Sequence, residues 1–477
     1  MPNITRFAPS PTGKAHVGNI RTALFDYLAA RSTGGKFLLR IEDTDRERFV
    51  PDAVSYIHES LAWLGLKNDG EVIYQSNRLP IYQKYADKLL KEGHAYKCFC
   101  TSDRLSKLKE EQEKAGKAPM YDRHCLNLSK DEITEKESAG EKSVIRFKIP
   151  ETPESVSWND KVRGEITFET AILEDFIILK SDGWPTYNLA HIIDDHEQGI
   201  NLVVRGEEFV PSTPKYILIH EALGWSHPDY AHMPLTIGKD RKKLSKRHGD
   251  TAILDYRDKG YLPEAMINFL ALLGWNPGGG STEEIFSMAE LEKHFKIEEV
   301  NKASAVFDLE RLDWMNGVWI RKLSVKDLSE RIIEFQPKFK DIDRVFLEKI
   351  VTVEQSRLKT LADFDEISAF YFNLSEYSPD MLVFKKSTPE ATRNGLTASI
   401  SALDKAIWDN LDVSGLETLL KGVIETNSLS NADVFWPVRV ALSGLDKSPS
   451  PAELLWVLGK DESIERLRSA FKVLTKP

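Results

Sequence analysis

Residues 4–19 read Ile4-Thr5-Arg6-Phe7-Ala8-Pro9-Ser10-Pro11-Thr12-Gly13-Lys14-Ala15-His16-Val17-Gly18-Asn19. The apolar run at 4–8 predicts a strand. Over 17–31, Ile20, Ala23, Leu24, Tyr27 and Leu28 fall on one face at helical spacing. A loop with Gly and Thr between a strand and a helix is where backbone N–H groups meet phosphate. Its two prolines fix the loop before any ligand arrives. His16 opens the helix, where the positive end of the dipole favours an anion and the ring can donate to a phosphate oxygen. On local physics alone the segment reads equally well as a Pro-rich loop with a helix-capping Thr. Working outward, 37–41 predicts a strand. A helix follows over 52–66, with Val54, Ile57, Leu61 and Leu64 in register, and another over 79–92, stopped by Gly93. Alternating strands and helices argue for a doubly wound parallel sheet.

The pattern changes over residues 94–185. A charged helical stretch at 104–114 and strand-like runs at 144–149 and 176–180 suggest an insertion between two halves of the sheet. The βα pattern resumes over 186–194 and 202–204, with a helix near 213–223. From about 320 the chain reads as amphipathic helix, including 345–361, 396–411 and 462–474, punctuated by Pro-Ser turns. A chain of 477 residues is too long for a single small module. The formal charge of −10 does not advertise a nucleic-acid partner, although a local basic cluster can coexist with it. Residues 321–477 carry 22 basic and 24 acidic side chains, so the helical half is not basic either. No secretory leader or bilayer-length apolar run is visible. Three cysteines, all between 98 and 125, make a poor disulfide framework and point to a reduced, cytoplasmic protein.

A second cluster reads Lys239-Asp240-Arg241-Lys242-Lys243-Leu244-Ser245-Lys246-Arg247-His248-Gly249-Asp250. Such a charge run is often a solvated face. Bracketed by Gly238 and Gly249, it also suits a mobile loop whose lysines stabilise a departing pyrophosphate. Together the two segments resemble the HIGH and KMSKS motifs of class I aminoacyl-tRNA synthetases. More narrowly, Arg6 through Gly13 with His16-Val17-Gly18, Arg40-Ile41-Glu42-Asp43-Thr44-Asp45, Gln75-Ser76-Asn77-Arg78, Lys180 through Tyr187, Asp194-Asp195-His196 and Val204-Arg205-Gly206-Glu207-Glu208 are similar to bacterial-type glutamyl-tRNA synthetases. Leu273-Gly274-Trp275, Trp314-Met315-Asn316 and Arg439 through Gly444 carry the resemblance into the helical half.

The resemblance implies a class I Rossmann-type catalytic domain with an inserted α+β domain and an all-α C-terminal half. It places the catalytic halves at 1–93 and 186–240, the acceptor-binding insertion at 94–185, and a stem-contact region with the basic loop at 241–320. Two helical anticodon-binding domains follow at 321–375 and 376–477. It implies glutamate activation by ATP with Mg²⁺, transfer to tRNA-Glu with tRNA-Gln left open as a second acceptor, no membrane, and a monomer. Catalytic roles fall to His16, Lys243 and Lys246. ATP contacts fall to Pro11, Thr12, Gly13, His16, Gly18, Asn19, Lys243, Leu244, Ser245, Lys246 and Arg247. A substrate with two carboxylates and an ammonium needs two cations and one anion. Arg6, Arg205 and Glu42 match those family positions, and Ser10 and Tyr187 add hydroxyls. His191 and Phe209 depart from the usual residues of the family. Some members hold zinc with Cys-x-Cys and a later Cys-x-His; here Cys98, Cys100 and Cys125 match and Asn127 replaces the His. Tyr121 and His124 are the candidate replacements, and the Tyr121-to-Cys125 spacing resembles the site of a shorter tRNA-modifying paralogue. The alternative is three thiols left from a lost site. Arg357 and Lys359 lie in a segment similar to one that faces the anticodon.

Four rivals are weaker. Glutaminyl-tRNA synthetases carry a different first motif and a β-barrel anticodon half. The short paralogue and the small nucleotidylyltransferases lack a helical half of this size. A catalytically dead tRNA-binding regulator would not need His16, Lys243, Lys246, Glu42, Arg6 and Arg205 intact.

Overall fold

The computed structural model describes residues 1–242, 244 and 252–474. It divides into two compact units, Met1–Tyr256 with Pro263–Leu309, and Arg257–Leu262 with Glu310–Pro477.

In the first unit, β1 (Ile4–Phe7) leads through the Pro-rich loop to α1 (Val17–Arg31) and β2 (Lys36–Ile41). The strands β1 and β2 pair in parallel, and β2 pairs in parallel with β3 (Ile73–Tyr74). The anticipated helix at 17–31 is present at those bounds, and Ile20, Ala23, Leu24 and Leu28 are fully buried. The helix α2 (Ala53–Trp63) stops short of the anticipated 66 because Gly65 takes a left-handed φ of 67°. Pro80 in the first turn of α3 (Leu79–Lys91) suits a helix start, where its missing N–H is no loss.

Between the halves of the parallel sheet lie β4 (Ala95–Cys98), α4 (Ser102–Lys114), α5 (Lys130–Ser138), β5 (Val144–Phe147), β6 (Ser155–Asp160), β7 (Gly164–Glu169) and β8 (Phe176–Leu179). An antiparallel sheet runs in the order β4-β5-β8, and β6-β7 form a separate hairpin. Neither α4 nor α5 buries a residue. That lack of an apolar stripe is why periodicity does not reveal α5. The chain then returns through α6 (Tyr187–Glu197), β9 (Leu202–Gly206), α7 (Thr213–Leu223) and β10 (Asp229–Met233), with β9 and β10 parallel. Asn201 ties β9 to β1: its N–H donates to the Ile4 carbonyl at 3.2 Å and its Oδ1 accepts from the Ile4 N–H at 2.7 Å. One apolar core joins Tyr82 and Leu89 of α3, Phe147 and Phe176 of the insertion, Ile192 and Ile193 of α6, and Val203 of β9.

The second unit is helical. Its helices include Arg344–Glu354, Pro389–Lys405, Val413–Asn427, Asn431–Ser443 and Pro451–Leu474. Three anticipated spans are redrawn. The helix expected over 345–361 ends at Glu354: a 3₁₀ turn follows at Gln355–Arg357, the chain is extended at Leu358, and the Leu361 N–H donates to the Gly260 carbonyl at 2.9 Å. The one expected over 396–411 starts earlier, at the Thr388 cap, and ends at Lys405, where the Trp408 indole N–H donates to the Leu403 carbonyl at 2.9 Å. The one expected over 462–474 belongs to a longer run broken at Gly459. Gly395 permits a close crossing, since a Cβ there would collide with the Asp433 carbonyl.

Candidate active site

A cavity of about 1100 Å³ opens where the ends of β1, β2 and β9 meet the start of α6. Ligands in open α/β sheets bind beyond the carboxyl ends of the strands. Arg6, Ser10, Glu42, Tyr187 and Arg205 all line it, as do Thr12, His16, Gly18, Asn19 and Leu244. Pro11 and Gly13 are absent from the lining. Pro11 instead accepts a hydrogen bond at 2.9 Å from the Val50 N–H, and Gly13 holds a φ of 153° that side-chain-bearing residues rarely adopt. Their part is to shape the loop. Lys243, Ser245, Lys246 and Arg247 lie outside the described residues.

The helix cap is His16, not the Thr that the Pro-rich loop suggested. Its Nδ1 accepts from the Gly18 N–H at 3.1 Å. With Nδ1 accepting, the ring proton sits on Nε2 at the start of the helix.

Beneath the cavity lies a buried charge network. Arg6 Nε donates to Asp195 Oδ1 at 2.9 Å, and Arg40 Nη1 reaches the same oxygen at 2.8 Å. Arg40 Nη2 donates to Glu42 at 3.2 Å. Asp194, one residue earlier, accepts from Arg78, Gln75 and Tyr82 at 2.8–3.1 Å. Burial opposes the charge on Asp195, but Arg6 and Arg40 outweigh it and hold this carboxyl well below its ordinary range. Glu42 has less compensation. Burial pushes its carboxyl up to about 7, with Arg40 and Arg6 pulling the other way.

Arg205 is held in an aromatic box, its guanidinium 4.9–5.3 Å from the rings of Phe209, Tyr216 and Tyr230. Phe209 thus has a defined place, packing also on Tyr187 at 5.5 Å. Arg205 Nε donates to His232 and Nη2 to Thr213, whereas Nη1 is buried without a hydrogen-bond partner among the described residues. The His191 ring stacks on Tyr187, and Nδ1 donates to the Tyr187 carbonyl at 2.5 Å. Burial holds His191 well below the usual imidazole range, so it is neutral.

Away from the cavity, Cys98, Cys100 and Cys125 place their sulfurs within 4.8 Å of one another. Tyr121 Oη lies 3.3 Å from Cys98 Sγ and 3.6 Å from Cys100 Sγ, and Cys100 Sγ is 3.6 Å from Cys125 Sγ. Zinc–sulfur bonds of about 2.3 Å put the sulfurs of a tetrahedron about 3.8 Å apart, so these donors fit. Of the two candidate fourth residues, Tyr121 has its oxygen beside these sulfurs. Its oxygen also accepts from the Cys125 N–H at 3.2 Å, while His124 donates its N–H to Asp122.

Residues 4–314 match the family model for the catalytic domain of class I tRNA synthetases (E and Q), and residues 327–471 match an anticodon binding domain. A glutamate–tRNA ligase of Thermoanaerobacter pseudethanolicus is 42% identical over 99% of this chain and 98% of its own. One from Clostridium acetobutylicum is 42% identical over 99% of both. The chain belongs to the glutamate–tRNA ligase family. A crystal structure of the family from Elizabethkingia meningosepticum, in complex with its amino acid, matches with a TM-score of 0.92 at 33% identity over the full length of both chains. This family frame makes the missed residues intelligible. Arg40 and Asp195 lie inside motifs already singled out, flanking Glu42 and Asp194. Asp160, Thr213 and His232 lie in no such motif, and only folding brings them to Arg205.

Proposed function

We propose that the chain activates L-glutamate with ATP and transfers the glutamyl group to the 3′ end of tRNA-Glu, releasing AMP and pyrophosphate. The observation that carries the reading is charge pattern. Three buried arginines (Arg6, Arg21 and Arg205) and two buried carboxyls (Asp26 and Glu42) line the cavity that also receives His16, and among them Arg6, Arg205 and Glu42 form the complement of a dicarboxylate amino acid. In this reading Arg6 and Arg205 meet the two carboxylates and Glu42 meets the ammonium. Ser10 and Tyr187 donate hydroxyl hydrogen bonds. A carboxylate is already a nucleophile, so no base is needed. Its oxygen bonds to the α-phosphorus of ATP, the bond to pyrophosphate breaks, and an acyl-adenylate forms. His16, at the helix N-terminus, and Lys246, with Lys243 supporting the loop, hold the phosphates as charge moves onto the leaving group. Thr12, Gly18, Asn19, Leu244, Ser245 and Arg247 complete the nucleotide contacts, while Pro11 and Gly13 shape the loop. Mg²⁺ arriving with ATP neutralises phosphate charge. The terminal ribose hydroxyl then attacks the acyl carbon and AMP leaves.

Zinc held by Cys98, Cys100, Tyr121 and Cys125 is structural in this reading, since four protein ligands leave no open position. Residues 94–185 hold the acceptor end, and 321–375 and 376–477 read the anticodon. The halves 1–93 and 186–240 perform the chemistry, and 241–320 contacts the stem. Recognition of exposed bases by stacking and by arginine does not need a strongly basic surface. Arg357, whose Nη1 is engaged by Glu354 at 2.7 Å, keeps its role with Lys359 only as part of this proposal. The enzyme works as a cytoplasmic monomer; among the described residues no helix is long and apolar enough to cross a membrane.

The test is glutamate-dependent ATP–pyrophosphate exchange with no tRNA, tRNA-Glu, tRNA-Gln or tRNA-Asp. Exchange elicited by tRNA-Glu supports the reading, and exchange also with tRNA-Gln widens the substrate range. Exchange with glutamate alone removes the expected tRNA requirement. No exchange under any condition returns the chain to the regulator.

A further inference from the structure

The hairpin β6-β7, inserted between the halves of the parallel sheet, packs beside β10, with the Lys161 N–H donating to the Tyr230 carbonyl at 2.8 Å. Strict alternation along β6 buries Val156, Trp158 and Asp160 and exposes the residues between them. Asp160 therefore enters the interior with its side chain fully buried. One of its oxygens, Oδ1, accepts the backbone N–H groups of Val162, Arg163 and His232 at 3.1, 3.0 and 3.2 Å. The other, Oδ2, lies 2.5 Å from His232 Nδ1. A carboxylate only accepts, so the imidazole proton sits on Nδ1 and Nε2 is left with a lone pair. That lone pair receives Arg205 Nε–H at 3.1 Å. The Thr213 hydroxyl, 3.2 Å from the same nitrogen, accepts Arg205 Nη2 at 2.7 Å and donates to the Phe209 carbonyl at 2.9 Å. Burial lowers the basicity of His232, which keeps this acceptor unprotonated.

We propose that Asp160 and His232 are positioning residues for amino-acid recognition: Asp160 fixes the Nδ1–H tautomer of His232, and the freed Nε2 aims Arg205 so that its unpartnered Nη1 meets a substrate carboxylate. The proposal rests on the reading that Arg205 contacts glutamate. It differs from an ordinary buried His–Asp pair in requiring one tautomer.

Asp160→Asn tests that requirement. The three backbone N–H groups at Oδ1 keep an amide oxygen there and turn the NH₂ toward His232 Nδ1. The imidazole must then accept at Nδ1 and carry its proton on Nε2. Arg205 Nε–H loses its acceptor and faces an N–H instead. A lost hydrogen bond to a charged group corresponds to a rise of about ten- to a hundredfold in KM for glutamate. In tRNA-Glu aminoacylation by the full chain, kcat and KM for ATP are expected to stay within about twofold. His232→Gln, whose amide oxygen replaces the lone pair, raises KM less than His232→Leu, and adding Asp160→Asn to His232→Gln causes no further rise. If Arg205→Lys raises KM for glutamate but Asp160→Asn does not, the relay is wrong and the glutamate pocket stands. If Arg205→Lys leaves KM for glutamate unchanged, both fall. Should Asp160→Asn not fold, ¹⁵N-histidine NMR of the native chain decides, using His232→Gln for assignment: an Nε2–H tautomer at His232 overturns the proposal.

Discussion

Glu42 gives the most quantitative prediction. In its proposed role its carboxyl must be ionised to hold the glutamate ammonium, yet burial pushes it up to about 7 while Arg40 and Arg6 pull it down. The acid form therefore predominates below pH 7. A group with that pKa is about one-tenth ionised at pH 6 and about nine-tenths at pH 8. Thus kcat/KM for glutamate should fall about tenfold as pH drops from 8 to 6. The kcat at saturating glutamate should fall less, because the bound ammonium favours the carboxylate and lowers its pKa. The neighbours do not confuse this window. Burial holds His191 well below the usual imidazole range and lowers His232 as well. Asp195 stays ionised, because Arg6 and Arg40 overcome its burial. Glu42→Gln keeps the shape and removes the titration. Its profile should be flat from pH 6 to 8, with a KM for glutamate about ten- to a hundredfold higher at pH 8, from the loss of a charge-assisted bond. The assay is aminoacylation at saturating ATP and tRNA in buffers of constant ionic strength. A flat native profile, or an acid limb that persists in Glu42→Gln, would refute the reasoning.

Three further outcomes follow from the packing. Arg40→Met leaves Asp194, Asp195 and Glu42 short of a buried cation, and should cost about 3–5 kcal/mol in denaturant unfolding at pH 7. Elemental mass spectrometry of the purified protein should find one zinc per chain, and Tyr121→Phe should lower the zinc retained against a chelator; no metal in the native protein would remove the site. Arg466→Ala strands the carbonyls of Phe370 and Leu442, which its Nη1 satisfies at 2.8 and 2.7 Å in the helical unit. At about 1–3 kcal/mol for each unmet buried group, its unfolding transition should shift by several degrees.

How much of this was legible depended on the reach of each residue's partners. The helix at 17–31 is readable because its apolar face is local. Arg6, Glu42, Tyr187 and Arg205 are readable because each lies in a motif at a strand or helix end. The course of the chain after Glu354 is not, since the carbonyl that takes the Leu361 N–H belongs to Gly260, far back in the chain. That Tyr121 Oη lies beside the sulfurs of Cys98 and Cys100 needed their positions. Asp160 was invisible for the same reason: a lone Asp in an alternating strand signals nothing until the hairpin sets it under His232.

The adjacent carboxylates of α6 also bear on biosynthesis. Arg6 and Arg40 wait for Asp195 across 189 and 155 residues of chain. Arg40 has Glu42 two residues away from the start, but at translation rates of about 5–20 residues per second it leaves the peptidyl centre roughly 8–30 seconds ahead of Asp195. Throughout that interval Arg6 lacks Asp195 and Arg40 has Glu42 in place of its full set of partners, and the whole insertion must be made before the network is complete. The nascent half-site is therefore incomplete until α6 arrives, and a chain broken off inside the insertion is left with Arg6 and Arg40 short of the carboxylate they share.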